Sequence, residues 1–488
     1  MKKVLSVICL GALAALALAL VVQTGCKAAK SDEIPITTKS KEARAAFLEA
    51  RGLYEFYHLD KANALLKRAI ELDPDFALAY LFFGITANDT PDFQKGLRRA
   101  FELAPKVTEG ERMLIAGQQA SFEERDAEKA NRIYQELTAL YPKDKRAHWY
   151  LAGTYGGLQQ YDKQIASLEA AIALDATFAP VRENLGYVYR WLGQYDKAEA
   201  AFKEYGRLSP KEANSHDILG DLYMKMGRFE DAINEYGEAV RMDPSFAFSQ
   251  QKAGSSLYFL GRYEDGRQAY LKAMELPYRA SEKVYEQEGV MRGYLYEGDW
   301  AKALEAADKA IQMGYDLGLP EESTFLPYVK SNIYCEIGDF GKAEACVAEG
   351  LKALDAAALV DTIKENQRLT AIATGMLVAA GKKDFETALT KAASFREKVA
   401  AIKNPAMQKQ ADWVDAYVAL AQGDASKALE YYGHGEVDEA WHLYYYALAK
   451  ERAGDAAGAA ELNKKVANWN MDGVWYPFVR QKAIDKLK

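Results

Sequence analysis

The sequence predicts an all-α protein, a right-handed superhelical solenoid of about twelve helix-turn-helix repeats. Ala, Leu, Tyr, Glu and Lys are used heavily, whereas only 13 of the 488 residues are proline, and this composition favours helices. A short turn signature recurs along the chain, and consecutive repeats in its first half are spaced by 34 residues. A fixed period of this kind is typical of stacked repeats in which each repeat contacts its neighbours.

The turn signature combines a glycine, an aromatic residue or Leu, two polar residues and a small residue. The glycine is expected to take the left-handed conformation that ends one helix. The aromatic residue packs where the next helix begins, and the small residue lets the two helices approach closely. The signature occurs at residues 193–198, 227–232, 298–303, 338–343, 423–428 and 454–459.

A regular frame covers the first seven repeats. Positions 8 and 20 of the frame hold small residues in nearly every repeat, so we predict that the two helices cross there. Proline recurs at position 32, where a residue without a backbone donor ends the repeat. The predicted repeats begin at Ala43, Ala77, Glu111, Lys145, Ala179, Ala213 and Ala247.

The later repeats lose this regular spacing but keep the turn signature. Longer helices or loops are expected to absorb the extra residues. The predicted organisation is therefore a regular array over residues 43–280 and an irregular array over 281–488, whose C-terminal end caps the last open apolar face. The later repeats are predicted to begin near Val284, Thr324, Leu369, Lys409 and Ala440.

A 34-residue period with two helices per repeat resembles the tetratricopeptide repeat. The section from residue 108 to 274 is also similar to bacterial tetratricopeptide lipoproteins and to sensor-type repeat regions attached to bacterial kinases and regulators. That similarity lies in residues 111–115, 184–190 and 213–217, and no kinase or DNA-binding motif accompanies them. The resemblance implies a surface that binds other proteins.

The N-terminus is typical of an exported protein. Two lysines precede an apolar run at residues 4–22, so we predict a signal peptide over residues 1–25. Thr24, Gly25 and Cys26 resemble the lipobox of bacterial lipoproteins, although Gln23 replaces the usual leucine. The resemblance implies lipidation of Cys26, a lipidated tether at 26–42 and a periplasm-facing place in the bacterial cell envelope. An uncleaved membrane anchor and a soluble cleaved form remain open.

The sequence contains few motifs typical of catalysis, metal binding or nucleic-acid binding. The net charge is −8 and no basic stripe occurs, which argues against nucleic-acid binding. The five histidines have no metal-ligand spacing, and phosphate-binding loops and nucleophile elbows are missing. We therefore predict no enzyme, no cofactor and no metal site. His148 and His216 are expected to pack, residues 434–442 are a poor candidate for metal capture, and Cys335 and Cys346 are expected to be buried free thiols.

The first helix of each repeat lines the concave groove in tetratricopeptide proteins, where positions 2, 5, 9, 12 and 13 can contact ligands. Aromatic side chains beside Arg and acids suit an extended peptide, although packing between repeats explains Trp191 and Tyr258 equally well. The acidic residues favour a basic or neutral ligand, and their replacement should leave the fold intact. The predicted groove residues are Trp149, Glu183, Tyr187, Arg190, Trp191, Asp217, Asp221 and Tyr258.

The function predicted from these features is a membrane-tethered scaffold or adaptor that faces the periplasm and binds partner polypeptides in the groove. The alternative is a receptor component that senses a solute or glycan. Glycan binding needs amides beside stacked aromatic rings, and few amides accompany Trp149 and Trp191.

Overall fold

The computed structural model describes residues 32–87, 90–244, 246–276, 280–359, 361–402, 405–434 and 439–488. Within these ranges the regular elements are α-helices and one short 3-10 helix, and no strand occurs. The predicted all-α repeat fold is confirmed. No described helix combines the length and the apolar character that crossing a bilayer requires.

The chain divides into two compact units between Leu208 and Ser209. The first unit contains ten described helices, which pair into five hairpins in chain order. These helices are α1 Lys41–Glu55, α2 Leu59–Leu72, α3 Ala77–Ile85, α4 Thr90–Leu103, α5 Glu109–Phe122, α6 Ala127–Leu140, α7 Lys145–Gly157, α8 Tyr161–Leu174, α9 Ala179–Trp191 and α10 Tyr195–Leu208.

The second unit contains seven further hairpins and a final helix, so the described chain has the predicted twelve hairpins. Its helices are α11 Asn214–Lys225, α12 Phe229–Met242, α13 Ala247–Phe259, α14 Tyr263–Met274, α15 Ala280–Glu297, α16 Trp300–Asp316, α17 Pro320–Glu336, α18 Phe340–Ala356, α19 Asp361–Gly381, α20 Phe385–Ile402, α21 Pro405–Ala421, α22 Ala425–Tyr432, α23 Ala440–Arg452, α24 Ala456–Ala467 and α25 Pro477–Asp485.

The lengths of the helices explain where the predicted frame holds and where it drifts. In the first seven hairpins the first helix begins within two residues of its predicted start. In the later hairpins α15, α17 and α21 begin four residues early and α19 eight residues early, because these helices are longer. The first helix α9 has 13 residues, whereas α19 has 21.

The turn glycines adopt the predicted conformation. Gly193 and Gly227 have φ angles of +70° and +76°, and each lies just before the helix that closes its hairpin. That left-handed region costs glycine little because it has no Cβ. Gln159 and Lys383 take the same conformation at turns where the signature glycine is missing.

Close packing within the hairpins depends on the small residues, as predicted. In the second hairpin a Cβ atom on Gly96 at position 20 would lie 2.5 Å from the Cα of Gly84 at position 8. In the fifth hairpin the nearest atoms to position 8 belong to a ring at position 24. A Cβ atom on Gly186 would lie 2.4 Å from Cδ1 of the buried Phe202 ring. Position 8 therefore serves both the helix crossing and this aromatic side chain.

The stretch before α1 is docked on the first unit. The backbone N–H of Ile34 donates to Asp144 at 2.7 Å, and the N–H of Thr37 donates to Glu111 at 2.7 Å. Thr38 donates its hydroxyl hydrogen to Asp73. An extended chain needs such acceptors for its backbone donors. Residues 34–40 of the predicted tether are therefore bound to the repeats, whereas the predicted signal peptide and Cys26 lie outside the described residues.

The C-terminal helix does more than cap the last hairpin. Helix α25 packs on α23 and α24, as predicted for a cap, but also on α15 of the eighth hairpin. The Phe478 ring stacks on Trp300 with 6.1 Å between centroids, and Lys482 pairs with Glu336 at 2.8 Å. The end of the chain therefore joins hairpins within the second unit that are far apart in sequence.

Candidate functional site

Trp149, on α7, is half-buried and lies at an open cavity of the first unit. Its ring stacks on Tyr150 at 5.7 Å and meets Phe178 edge-on at 5.5 Å, while its indole N–H donates to Asn184. The cavity has a volume of about 480 Å³. The same cavity is lined by Tyr54, Gln118, Phe122, Arg125 and Thr154. Its aromatic lining suits an apolar side chain from a partner.

The predicted groove residues of α9 differ widely in accessibility. Glu183 is buried, so its prediction as a ligand contact is wrong. Tyr187 is half-buried, its ring meets Phe202 edge-on at 5.2 Å, and the Arg190 guanidinium lies 5.1 Å from that ring. Trp191 is 74% exposed, so it does not pack between repeats. Arg190 and Trp191 therefore remain available on this helix.

Asp217 and Asp221, on α11, share one cation. Nζ of Lys252 lies 2.9 Å from Asp217 and 2.8 Å from Asp221, and the Tyr236 hydroxyl also donates to Asp221 at 2.8 Å. Burial raises the pKa of Asp221 above its ordinary value, against the opposing effect of Lys252. These two acids are bound within the fold, so they do not by themselves favour a basic ligand.

The shared cation also changes what is expected when Asp217 and Asp221 are replaced, which the sequence predicted would leave the fold intact. Only 30% of the Lys252 side chain is exposed. Removing both acids would leave this ammonium group half-buried without its counter-charges, which destabilises the fold.

Tyr258 belongs to the core. Its side chain is fully buried, its ring stacks on Tyr270 at 5.7 Å, and its hydroxyl donates to the Gly289 carbonyl at 2.9 Å. Burial raises the pKa of Tyr258 well above its ordinary value. Packing explains this residue, and its prediction as a groove contact is wrong.

A buried carboxylate occupies groove positions in the second unit. Asp472 accepts hydrogen bonds from Ser255 at 2.8 Å, Tyr270 at 3.0 Å, Arg292 at 3.0 Å and Tyr296 at 2.8 Å. In the predicted frame Ser255 and Arg292 hold position 9 of their repeats, and Tyr296 holds position 13. The Arg292 side chain is 1% exposed. These groove residues therefore bind an acid that the chain itself supplies.

The residues beside Asp472 also contact α11, the first helix of the second unit. Lys225 of α11 donates to the Trp469 carbonyl at 3.3 Å, and its Nζ lies 5.4 Å from the centre of that indole ring. The Asn470 amide donates to the Lys225 carbonyl at 3.3 Å. The sequence alone does not reveal this arrangement, because Asp472 and Arg292 are 180 residues apart and neither belongs to a local motif.

Known families and structures were compared with the chain. Models described as the tetratricopeptide repeat match residues 146–178, 179–212 and 213–246. The chain contains tetratricopeptide repeats. The matched repeats span α7 to α12, where the 34-residue spacing is regular. A search of curated proteins found no match.

Several solved structures are similar to parts of this chain. A tetratricopeptide repeat protein from Parabacteroides merdae ATCC 43184 is 12% identical, with a TM-score of 0.39 over 54% of this chain and 98% of its own. MamA is 22% identical, with a TM-score of 0.31 over 35% of this chain and 94% of its own. PilW, a widely conserved type IV pilus biogenesis factor, is 17% identical, with a TM-score of 0.31 over 42% and 95%.

Histidine and cysteine side chains are the remaining candidates for metal binding or thiol chemistry. No group of three or more His, Cys, Asp or Glu residues is placed to hold a metal within the described ranges. His148 contacts the Pro142 carbonyl at 3.0 Å, and His216 contacts a carboxylate. Cys335 and Cys346 are free, and burial raises the pKa of the half-buried Cys335 to about 12. This thiol is therefore protonated at neutral pH. The candidate metal loop at 435–438 lies outside the described residues.

Proposed function

We propose that this protein is a membrane-tethered, periplasm-facing adaptor that binds partner polypeptides in its tetratricopeptide groove. Tetratricopeptide repeats favour a protein-protein interaction scaffold. The observation that carries the proposal is the packing of residues 469–473 along α11, α13 and α15, where these helices bind a non-helical segment of the chain itself. In the first unit the equivalent helices leave the Trp149 cavity open to a partner.

The partner is proposed to be an extended polypeptide with an apolar anchor side chain. Five of the 13 residues that line the cavity beside Trp149 are aromatic, and one of them, Phe122, is 47% exposed. Arg190 and the exposed Trp191 provide further contacts on α9. Aromatic and Arg residues of this kind contribute most of the binding free energy at many interfaces.

Affinity capture from solubilised membranes, followed by mass spectrometry, identifies the partner, and calorimetry with the purified partner then tests the site. We expect Trp149→Ala and Arg190→Ala each to weaken binding by about 1–3 kcal/mol. The matched control is Tyr315→Ala, which removes a 52% exposed aromatic ring at the end of α16. The groove proposal fails if folded Trp149→Ala and Arg190→Ala proteins bind normally while the control weakens binding.

The membrane tether is tested separately at Cys26. Metabolic labelling with a fatty acid should mark the wild-type protein and leave the Cys26→Ser variant unlabelled, because the thiol is the proposed site of lipid attachment. Equal labelling of the two proteins would contradict lipidation at this residue without affecting the groove proposal.

A further inference from the structure

A second cavity lies among the last four hairpins of the second unit. Its volume is about 430 Å³, within the usual range for small-molecule sites. Helices α17, α19, α20, α21, α22 and α23 all contribute side chains, and Trp475 of the C-terminal region adds another. None of the groove residues predicted from the sequence lines it.

Aromatic rings form much of the cavity wall. The Trp413 ring lies against the imidazole of His442, with 4.1 Å between centroids. Tyr417 meets Tyr445 edge-on at 4.9 Å, and Trp441 lies 5.1 Å from the same Tyr445 ring. These contacts hold the rings in place from α21 and α23. The cavity therefore presents rigid, flat apolar surfaces to a ligand.

Neutral hydrogen-bonding groups lie among these rings. Asn332, Asn366 and Gln410 contribute amides, and Thr370 and Thr374 contribute hydroxyls. Each amide can both donate and accept, as can each hydroxyl. The combination of aromatic rings and amides that glycan binding needs is therefore present here, assembled from helices distant in sequence.

One residue that lines the cavity has a buried hydroxyl without a hydrogen-bond partner in the described part of the chain. Tyr432 is 2% exposed, and its hydroxyl has no hydrogen-bond partner among the described residues. Burial of a polar atom without a partner costs free energy and is rare in folded proteins. A polar ligand in the cavity would provide the missing partner.

The charge of the lining restricts the class of ligand. The described lining residues include no Lys or Arg, and their one acid, Glu439, is exposed. Burial lowers the pKa of His442 to about 3, although the Glu439 carboxylate lies 3.6 Å from Nε2. The imidazole is therefore neutral at physiological pH. A buried anion would find no compensating charge here.

We propose that this cavity binds a neutral saccharide. The apolar face of a pyranose ring would stack on Trp441, and saccharide hydroxyls would pair with the amides and with Tyr432. A purely apolar ligand would leave the buried Tyr432 hydroxyl without a partner. The inference is independent of the protein-binding groove, since the two sites share no residue.

Titration of the full chain with defined sugars tests the class of ligand. The probes are maltotriose, cellotriose and N,N′,N″-triacetylchitotriose, with 3′-sialyllactose and 1-naphthol as acidic and apolar comparisons. Tryptophan fluorescence and calorimetry should show saturable binding of at least one neutral trisaccharide, with Kd between about 1 μM and 1 mM. The proposal is overturned if all three neutral sugars fail to bind, whatever the two comparison compounds do.

Variants locate the binding. Tyr432→Phe should weaken binding of the neutral sugar by about 3- to 10-fold, the effect of one lost neutral hydrogen bond. The same variant without sugar should unfold at an equal or higher temperature, because it removes a buried hydroxyl that has no partner. A purely structural role would instead lower the unfolding temperature and leave sugar affinity unchanged, which would overturn the role assigned to Tyr432.

Trp441→Ala should abolish measurable sugar binding, while Tyr315→Ala, which removes an exposed aromatic ring that does not line the cavity, is the matched control and should leave sugar affinity unchanged. Undiminished binding by folded Trp441→Ala would place the sugar elsewhere and overturn the proposal. If Trp441→Ala does not fold, the Tyr432→Phe comparison decides. Binding of the polypeptide partner is measured independently, so failure of one proposal is distinguishable from failure of the other.

Discussion

The two compact units differ in how a non-helical segment packs on them. In the first unit, residues 34–40 donate backbone N–H groups and hydroxyls to acids of the repeats, including Glu111 and Asp144. In the second unit, residues 469–473 bring the carboxylate of Asp472 to Arg292 and to three hydroxyls. The first arrangement relies largely on backbone donors, which most residues provide. The second combines the Asp472 carboxylate with contacts of Trp469 and Asn470 to Lys225.

This difference shows that a position in the repeat does not decide whether it is available to a ligand. Ser255 and Arg292 hold groove positions, yet the chain's own Asp472 occupies them. Trp149 also holds a groove position, and it lies at an open cavity. Groove positions therefore bind a segment of the same chain in one unit and remain accessible in the other.

Removing Asp472 should cause the largest loss of stability. Asp472→Ala leaves the buried Arg292 without its counter-charge, so we expect the free energy of unfolding of the second unit to fall by about 3–5 kcal/mol. Urea unfolding followed by circular dichroism measures the loss. Lys465→Ala, which breaks an exposed pair with Glu461, should cost less than about 1 kcal/mol. Equal losses in the two variants would contradict the role given to the buried pair.

Glu111 is the corresponding residue of the first unit. Its carboxylate accepts from Thr37 N–H at 2.7 Å and from Thr108 N–H at 3.1 Å, where it also caps α5. Glu111→Ala should lower the free energy of unfolding by about 2–3 kcal/mol, because hydrogen bonds to a charged acceptor are lost. Glu102→Ala, which removes a half-exposed acid paired with Arg99, provides the control. Thermal unfolding that does not separate the two variants would show that residues 34–40 contribute little.

A pair of glycines tests the packing inside the first unit. A Cβ atom on Gly186 would lie 2.4 Å from the Phe202 ring, whereas one on Gly153 would meet nothing within 4 Å. Gly186→Ala should therefore destabilise the protein by about 1–2 kcal/mol through overpacking. Gly153→Ala should stabilise it by about 0.5–1 kcal/mol, because alanine favours the helix. Urea midpoints that shift in the same direction for both variants would contradict this assignment.

The smallest expected change in stability concerns the histidines at position 4 of two repeats. His148 in the first unit contacts a backbone carbonyl, whereas His216 in the second unit contacts the Glu235 carboxylate at 2.7 Å. That hydrogen bond raises the pKa of His216. The stabilisation is therefore present below the unfolded value of about 6.5 and is lost as the pH rises through the folded pKa.

Glu235→Gln should accordingly lower stability at pH 5.5, by less than about 1 kcal/mol because about a third of the His216 side chain is exposed to solvent. Thermal unfolding should show no difference between variant and wild type at pH 8.5. A larger difference at the higher pH would contradict the sign of this effect.

Local patterns in the sequence determined the helical hairpins. Gly193 and Tyr195 predicted one helix end and the next helix start, because glycine readily adopts a positive φ and an aromatic residue packs at the junction. Small residues such as Gly84 and Gly96 predicted the close helix crossings. These contacts form between neighbours within one repeat, so the spacing of residues along the chain is enough to predict them.

Only the tertiary structure decided which predicted site residues are accessible. Glu183 and Tyr258 are buried, Asp217 and Asp221 share Lys252, and Trp191 is exposed, although all hold groove positions. These outcomes depend on side chains from neighbouring repeats. The cavity beside Tyr432 and the site of Asp472 likewise combine residues from helices distant in sequence. Burial and charge pairing are properties of such assembled surroundings, which the repeat pattern of a single chain does not specify.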